Sequence, residues 1–265
     1  MREPIAIGFY PGSKEELKNL VKKLLNQKVE KIETIAAIVP HAGYIYSGKT
    51  AGITYSSIQT EKRKFLIACP NHTGIGKEIA LSLQDWSTPL GKVKINKEFG
   101  NKIQVDEKAH LYEHSLEVQL PFLQVLFKNF EIIPLCLAHL PFKKLKELSQ
   151  ILAKDDIFYI ASSDFTHFGP NYGYMPFNFE PEKNVREVKK LDMEAIKFIE
   201  RLDAKKFYNF VLDKKLTICG FIPITLILLI AKKLGANKAK LIDYSTSFEI
   251  SRDINFVTYA GILIY

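Results

Sequence analysis

The chain of 265 residues carries 37 Lys and Arg against 29 Asp and Glu, a formal net charge of +8, with 47% hydrophobic and 25% charged residues. That is enough chain to bury a full core, and the proportions exclude a disordered or fibrous protein. The excess charge is mostly Lys spread along helical faces, such as Lys14, Lys18, Lys22, Lys23 and Lys28, with no Arg-rich block or interleaved aromatics, which argues against nucleic-acid binding.

Three cysteines do not make a disulfide framework, and Cys69 and Cys136, in apolar runs, read as reduced core thiols. Met1-Arg2-Glu3-Pro4 lacks a signal-peptide hydrophobic region. The apolar run Ile218 to Ala231 is interrupted by Gly220 and Pro223 and is too short to span a bilayer. The expectation is a cytoplasmic protein with no membrane partner.

In chain order, a short strand is predicted from Ile5 to Tyr10, closed by Pro11-Gly12. Ser13 then caps a helix, with Glu16 three residues on and Leu17, Leu20, Val21, Leu24 and Leu25 at helical spacing. The unbroken apolar run from Ala36 ends in Pro40-His41 and reads as a buried parallel strand that delivers His41 to a sheet edge. A helix is expected beyond Ser47-Gly48, through Ile58. The strand Phe65 to Cys69 delivers His72, and Ile79 to Leu83 forms another strand. Lys92 to Ile95 alternates like a half-exposed edge strand with its lysines outward.

Asp106 to Glu117 holds His110, Glu113, His114 and Glu117, with Ser115 as the expected cap of the helix that follows. A strand at Ile132 to Leu137, a helix from Lys143 to Ala153 and a strand at Ile157 to Ala161 come next. The last presents Asp164 and His167, followed by an irregular aromatic stretch, Phe168 to Tyr174, that reads as a flap or interface loop. Helices are expected at Asn184 to Arg201, Ala204 to Leu212 and Gly220 to Leu234, and strands at Lys240 to Phe248 and Asn255 to Ile264. With no internal repeat or linker, residues 1–265 read as a single three-layer α/β/α domain with a mostly parallel mixed central sheet.

In open α/β sheets ligands bind beyond the carboxyl ends of the strands, so His41, His72, Asp164 with His167, and Cys219 are expected to converge. Neutral imidazoles and a thiolate are good ligands for late first-row metals. Cys219, just before Gly220 at a predicted helix start, sits where the helix dipole lowers a thiol's pKa. Asp164 and His167, three apart, have the spacing for a carboxylate that orients an imidazole. His110 and His139 read as structural or solvent-facing. There is no phosphate-binding glycine loop, no Cys-x-x-Cys pair and no Gly-x-Ser-x-Gly elbow.

Val39-Pro40-His41-Ala42-Gly43-Tyr44-Ile45-Tyr46-Ser47-Gly48, Pro70-Asn71-His72-Thr73-Gly74, Glu113 to Phe122, Ser162 to Gly169 and Cys219-Gly220 resemble, in order, the successive motifs of the MEMO family. The resemblance implies a fold similar to the class III extradiol dioxygenases of the LigB type, which are non-haem iron enzymes that open catechol rings. It implies a site in which His41, His72 and Cys219 hold iron or copper, with zinc as a third option, and His167 and Asp164 are catalytic. Glu113, His114 and Tyr46 are assigned to substrate binding. The dioxygenase glutamate ligand does not carry over, and Cys219 takes its place. A thiolate is softer and oxidisable, which argues against ring cleavage.

The Lys-rich, Ile-rich composition looks prokaryotic or archaeal, so the receptor-tail binding of eukaryotic relatives transfers poorly. Two functions are expected in competition. One is a metal-dependent oxidoreductase acting on a small molecule. The other is a binding module that uses the same pocket to recognise a phosphopeptide or another small acidic or aromatic ligand without turnover.

Overall fold

The computed structural model describes residues 1–265. Its strands are β1 (Ile32–Glu33), β2 (Ala36–Val39), β3 (Ile58–Gln59), β4 (Lys64–Pro70), β5 (Ile79–Leu81), β6 (Trp86–Thr88), β7 (Gly91–Ile95), β8 (Glu131–Leu137), β9 (Ile157–Ser162), β10 (His167–Phe168), β11 (Ala239–Thr246) and β12 (Phe256–Ile264). Its helices are α1 (Lys14–Leu25), α2 (Tyr44–Ser57), α3 (Leu120–Leu126), α4 (Phe142–Leu152), α5 (Pro181–Glu200), α6 (Ala204–Asp213), α7 (Phe221–Lys233) and the single turn α8 (Phe248–Ser251).

Ten strands form one mixed sheet in the order β10-β12-β2-β9-β4-β8-β7-β6, with β11 on β12 and β5 on β8. The middle of the sheet, β2-β9-β4-β8-β7, is parallel, and β5, β6, β10, β11 and β12 add antiparallel pairs. The helices cover both faces, so the fold is α/β/α, as expected. Alternate residues of the central strands enter different cores. Ala36, Ile38, Leu66, Ala68, Tyr159 and Ala161 pack toward α4 and α7, while Ala37, Val39, Phe65, Ile67, Phe158 and Ile160 pack toward α1, α2 and α3. Double-sided burial is why these strands read as unbroken apolar runs. No helix is long and apolar enough to cross a membrane.

Several elements match their sequence signals closely. Ser13 Oγ accepts from the Glu16 N–H and so caps α1, whose Leu17 and Val21 are buried. Helix α2 begins at Tyr44, several residues before its expected start, because Gly43 serves as the N-cap.

Three expectations are corrected. Ile5 to Tyr10 is not a strand: only single bridges form, Arg2 to Trp86 and Ile7 to Tyr10. The N–H groups of Ile5 and Ala6 donate instead to the Glu117 carboxylate, and Gly8, at φ 107°, turns the chain in a way side-chain-bearing residues resist. Strand β7 keeps Lys92 and Lys94 exposed, but it lies between β8 and β6, so Trp86–Thr88 is the true edge. Ser115 caps no helix; its hydroxyl donates to Glu113 Oε1, and a 3-10 turn at Glu117–Gln119 leads into α3.

Candidate metal and substrate site

The carboxyl ends of three neighbouring parallel strands open onto one place. β2 runs into His41, β4 into His72 and β9 into Asp164 and His167, while the turn before α7 brings in Cys219. The four residues from the strand ends, with His114, line a cavity of about 570 Å³ together with Phe9, Tyr46, Tyr172, Asp253 and Asn255, and Cys219 lies against His41. The cavity's size is that of a small-molecule pocket. The rings of His41, His72 and His114 lie mutually close, with centroids 5.2 Å apart for His41 and His72, 5.7 Å for His41 and His114 and 5.2 Å for His72 and His114.

Hydrogen-bond accounting fixes the tautomers. The Ser162 hydroxyl has one proton, which it gives to the Ser115 carbonyl at 2.6 Å, and its oxygen also accepts from Gln119 Nε2 at 2.8 Å. Only acceptance is left for His41 Nδ1, 3.0 Å away, so Nδ1 carries the proton and Nε2 the lone pair. Tyr55 donates to Gln119 Oε1, which orients the amide. His72 Nδ1 faces the Glu113 carboxylate at 3.0 Å, and His167 Nδ1 faces the carbonyls of Phe165 and Thr217, each at 3.0 Å. All three imidazoles thus anchor Nδ1–H to the protein and leave Nε2 for other partners.

One ligand atom each from His41, His72 and Cys219 lies within 4.8 Å of the others, and Cys219 Sγ is 3.3 Å from His41 Nε2. A tetrahedral ion about 2.0–2.3 Å from its ligands separates them by about 3.5 Å, so the trio has the spacing of a metal site. His72, Glu113 and His114 satisfy the same distance test, but Glu113 already accepts four hydrogen bonds, from His72 N and Nδ1 and from Ser115 N and Oγ. Its role is to orient His72.

The electrostatics follow from burial and neighbours. Burial, reinforced by His72 and His114, holds the His41 imidazole well below its ordinary value, and burial likewise lowers His114. Both are neutral at pH 7, the form in which imidazole binds a metal. Burial pushes His72 down, but the Cys219 sulfur and the Glu113 carboxylate outweigh it and raise the ring to about 11, so without a metal His72 is the cationic member of the trio, and an ion bound there would have to displace its Nε2 proton. Burial opposes ionisation of Glu113, yet His72 and Ser115 hold it at about 2.

Two sequence-based assignments change here. Burial raises the Cys219 thiol, with His72 pulling the other way, so the position before α7 does not leave it unusually acidic. Asp164 does not orient His167: its Oδ1 accepts from the N–H groups of His41 (2.7 Å) and Ala42 (3.2 Å), while Thr217 grips His167 through the N–H, the carbonyl and Nδ1. Asp164 therefore fixes the His41 turn. Glu113, fully buried behind His72, lines no part of the cavity, whereas His114 and Tyr46 do. His110 is buried with Nε2 on the Ala80 carbonyl, and His139 is exposed, in line with their structural or solvent-facing reading. Gln119, Ser162 and Thr217 were not among the candidates, although polar residues buried in apolar surroundings are a signal for such roles.

A cluster of imidazoles and a thiol at the strand ends of an α/β/α sheet is the feature that sets this fold apart. The family model for Memo-like proteins matches residues 2–263. A MEMO1 family protein of Methanosarcina barkeri is 36% identical over 279 residues, covering all of both chains. MEMO1 family proteins of Aquifex aeolicus, 38% identical, and Pyrococcus furiosus, 36% identical, each cover 99% of this chain and 98% of their own. The chain belongs to the Memo-like, or MEMO1, family. These relatives come from archaea and bacteria, in keeping with the composition.

Proposed function

We propose that this protein is a metal-dependent oxidoreductase in which His41, His72 and Cys219 hold iron or copper at the base of the cavity. The observation that carries this reading is the convergence of two imidazoles and a thiol, with His41 pinned in the metal-binding tautomer by Ser162. Two imidazoles and a thiolate suit copper best among the first-row ions, and iron less well. The bound ion would supply a redox couple next to a substrate oxygen.

The chain's own residues account for the rest. His167, its Nδ1–H held by two carbonyls, presents Nε2 as the base that takes a proton from a substrate hydroxyl in the cavity. Asp164 holds the turn that aims His41, and Glu113 holds His72. Tyr172, edge-on to His167 at 5.1 Å, belongs to the aromatic loop and lines the cavity beside this base. The competing reading, a binding module for an acidic or phosphorylated ligand, finds no lysine or arginine among the lining residues and only the His72 imidazolium as a cation.

The test is elemental analysis of protein purified without oxygen, comparing wild type with His41→Ala and Cys219→Ala. Near-stoichiometric iron or copper, lost in both variants, supports the proposal and justifies an oxygen-consumption screen with phenols. A wild type that is metal-free and fails to bind added Fe(II) or Cu(I) tightly refutes it.

A further inference from the structure

Two chemically different groups of residues line the cavity. The imidazoles of His41, His72, His114 and His167 make one. The connection between β11 and β12 contributes the other, Ser247, Ser251, Asp253 and Asn255, and the rings of Phe9, Tyr46 and Tyr172 line the same space, Phe9 stacked on His114 and Tyr172 edge-on to His167. Lysine and arginine are absent from the lining. Arg252, next to Asp253, points its guanidinium over the Phe248 ring, 5.3 Å from the centroid, and does not line the cavity.

Asp253 is solvent-exposed but lines the cavity, and its own loop holds its carboxylate. Its Oδ1 accepts from Asn255 N at 2.8 Å and Asn255 Nδ2 at 3.1 Å, and Asn255 Oδ1 in turn accepts from the N–H of Asn171 in the aromatic loop. Oδ2 of Asp253 takes no hydrogen bond from the protein. Tyr172 feels the carboxylates on both sides of it: burial raises its hydroxyl, and Asp253 and Asp164 add to the effect.

We infer that the cavity takes a flat aromatic molecule with its hydroxyl end toward the imidazoles and a cationic tail on Asp253. This deepens the proposed function and rests on it for the hydroxyl end. The aromatic walls supply stacking area, and Asp253 Oδ2 is the unoccupied acceptor for an ammonium. A carboxylate or phosphate tail at the same place meets like charge and no cation. Selection between tails of opposite sign is thus set by a wall that shares no residue with the proposed metal ligands.

The experiment is calorimetric titration of the full chain, both stripped with a chelator and loaded with metal. The probes are 4-(2-aminoethyl)phenol, 4-hydroxyphenylacetate and O-phosphotyrosine, applied to wild type, Asp253→Asn and Asp253→Glu. The amine should bind about tenfold more tightly than either anionic probe. Asp253→Asn should weaken the amine about threefold to fivefold, the range for one exposed ion pair, and Asp253→Glu should restore it. Equal or tighter binding of an anionic probe, no amine binding at millimolar concentrations, or an amine affinity indifferent to Asp253→Asn overturns the inference. Metal content measured on the same samples separates the two claims, since the amine preference can hold in protein that binds no metal, and the reverse.

Discussion

Replacing Arg2 with Met should destabilise the protein more than a change at the second residue ordinarily does. The Arg2 and Glu117 side chains are 5% and 0% exposed, and Nη1 lies 2.5 Å from Oε2. Nε and Nη2 donate to the carbonyls of His110 and Glu113, each at 2.9 Å, and the guanidinium lies 3.9 Å above the Trp86 ring centroid. Glu117 also accepts from Ala6 N and the Tyr10 hydroxyl, so removing Arg2 strands a buried carboxylate. Breaking one side of such a pair costs about 3–5 kcal/mol, a large part of the roughly 5–15 kcal/mol that holds a domain folded.

The segment that Arg2 fastens carries Phe9, whose ring stacks on His114 at 4.1 Å, so the cavity wall should loosen as well. Urea denaturation of Arg2→Met, Glu117→Gln and the double variant measures both the loss and the coupling. A single-site loss near 3 kcal/mol or above, with a coupling of at least about 1 kcal/mol, is expected. A loss below about 1 kcal/mol, or strict additivity, would show that the N-terminal segment is not held by this pair.

Ser162→Ala removes the acceptor of His41 Nδ1–H and leaves Gln119 without one partner; competitive metal titration should show about a 10–100-fold weaker affinity with the fold retained. Asp192, on α5, accepts from Thr166, Thr258 and Tyr244, and burial raises it to about 6 despite these bonds. A raised carboxyl favours the folded state while protonated, so its contribution is complete below about pH 4, falls as the pH rises to about 6 and stays lost above, a total of roughly 3 kcal/mol. Asp192→Asn should remove that component, so the stability of wild type relative to the variant should decline between pH 4 and 7 in urea titrations. In Gly220→Ala the new Cβ would lie 2.4 Å from Ser163 Cβ and 2.6 Å from the Ser162 carbonyl oxygen. A loss of about 1–3 kcal/mol in thermal or chemical unfolding is expected, with Cys219 displaced from His41.

The central sheet was legible because parallel strands covered on both faces must be apolar at every position, and β2, β4, β8 and β9 are the runs that meet this demand. His41, His72 and the Asp164 to His167 loop follow such runs directly, so chain topology alone brings them to one sheet edge. The N-terminal segment misled because Ile5 to Tyr10 has strand composition, while its backbone partner, Glu117, lies 112 residues from Ile5. Ser115 failed as a cap for a related reason: the buried Glu113 carboxylate competes for its hydroxyl. The pairing of Asp164 with His167 was plausible from spacing, but Thr217, 50 residues further on, supplies the contacts that hold the imidazole. Long-range polar contacts of this kind leave no periodic trace in sequence.

The most direct test of the proposed metal centre is X-ray absorption at the edge of whatever metal the native protein carries, for wild type and Cys219→Ala. One sulfur and two imidazole nitrogens around the ion, with the sulfur contribution absent from the variant, is the result the account predicts. A first shell of nitrogen and oxygen alone, unchanged by Cys219→Ala, would contradict it and place any bound metal on other donors.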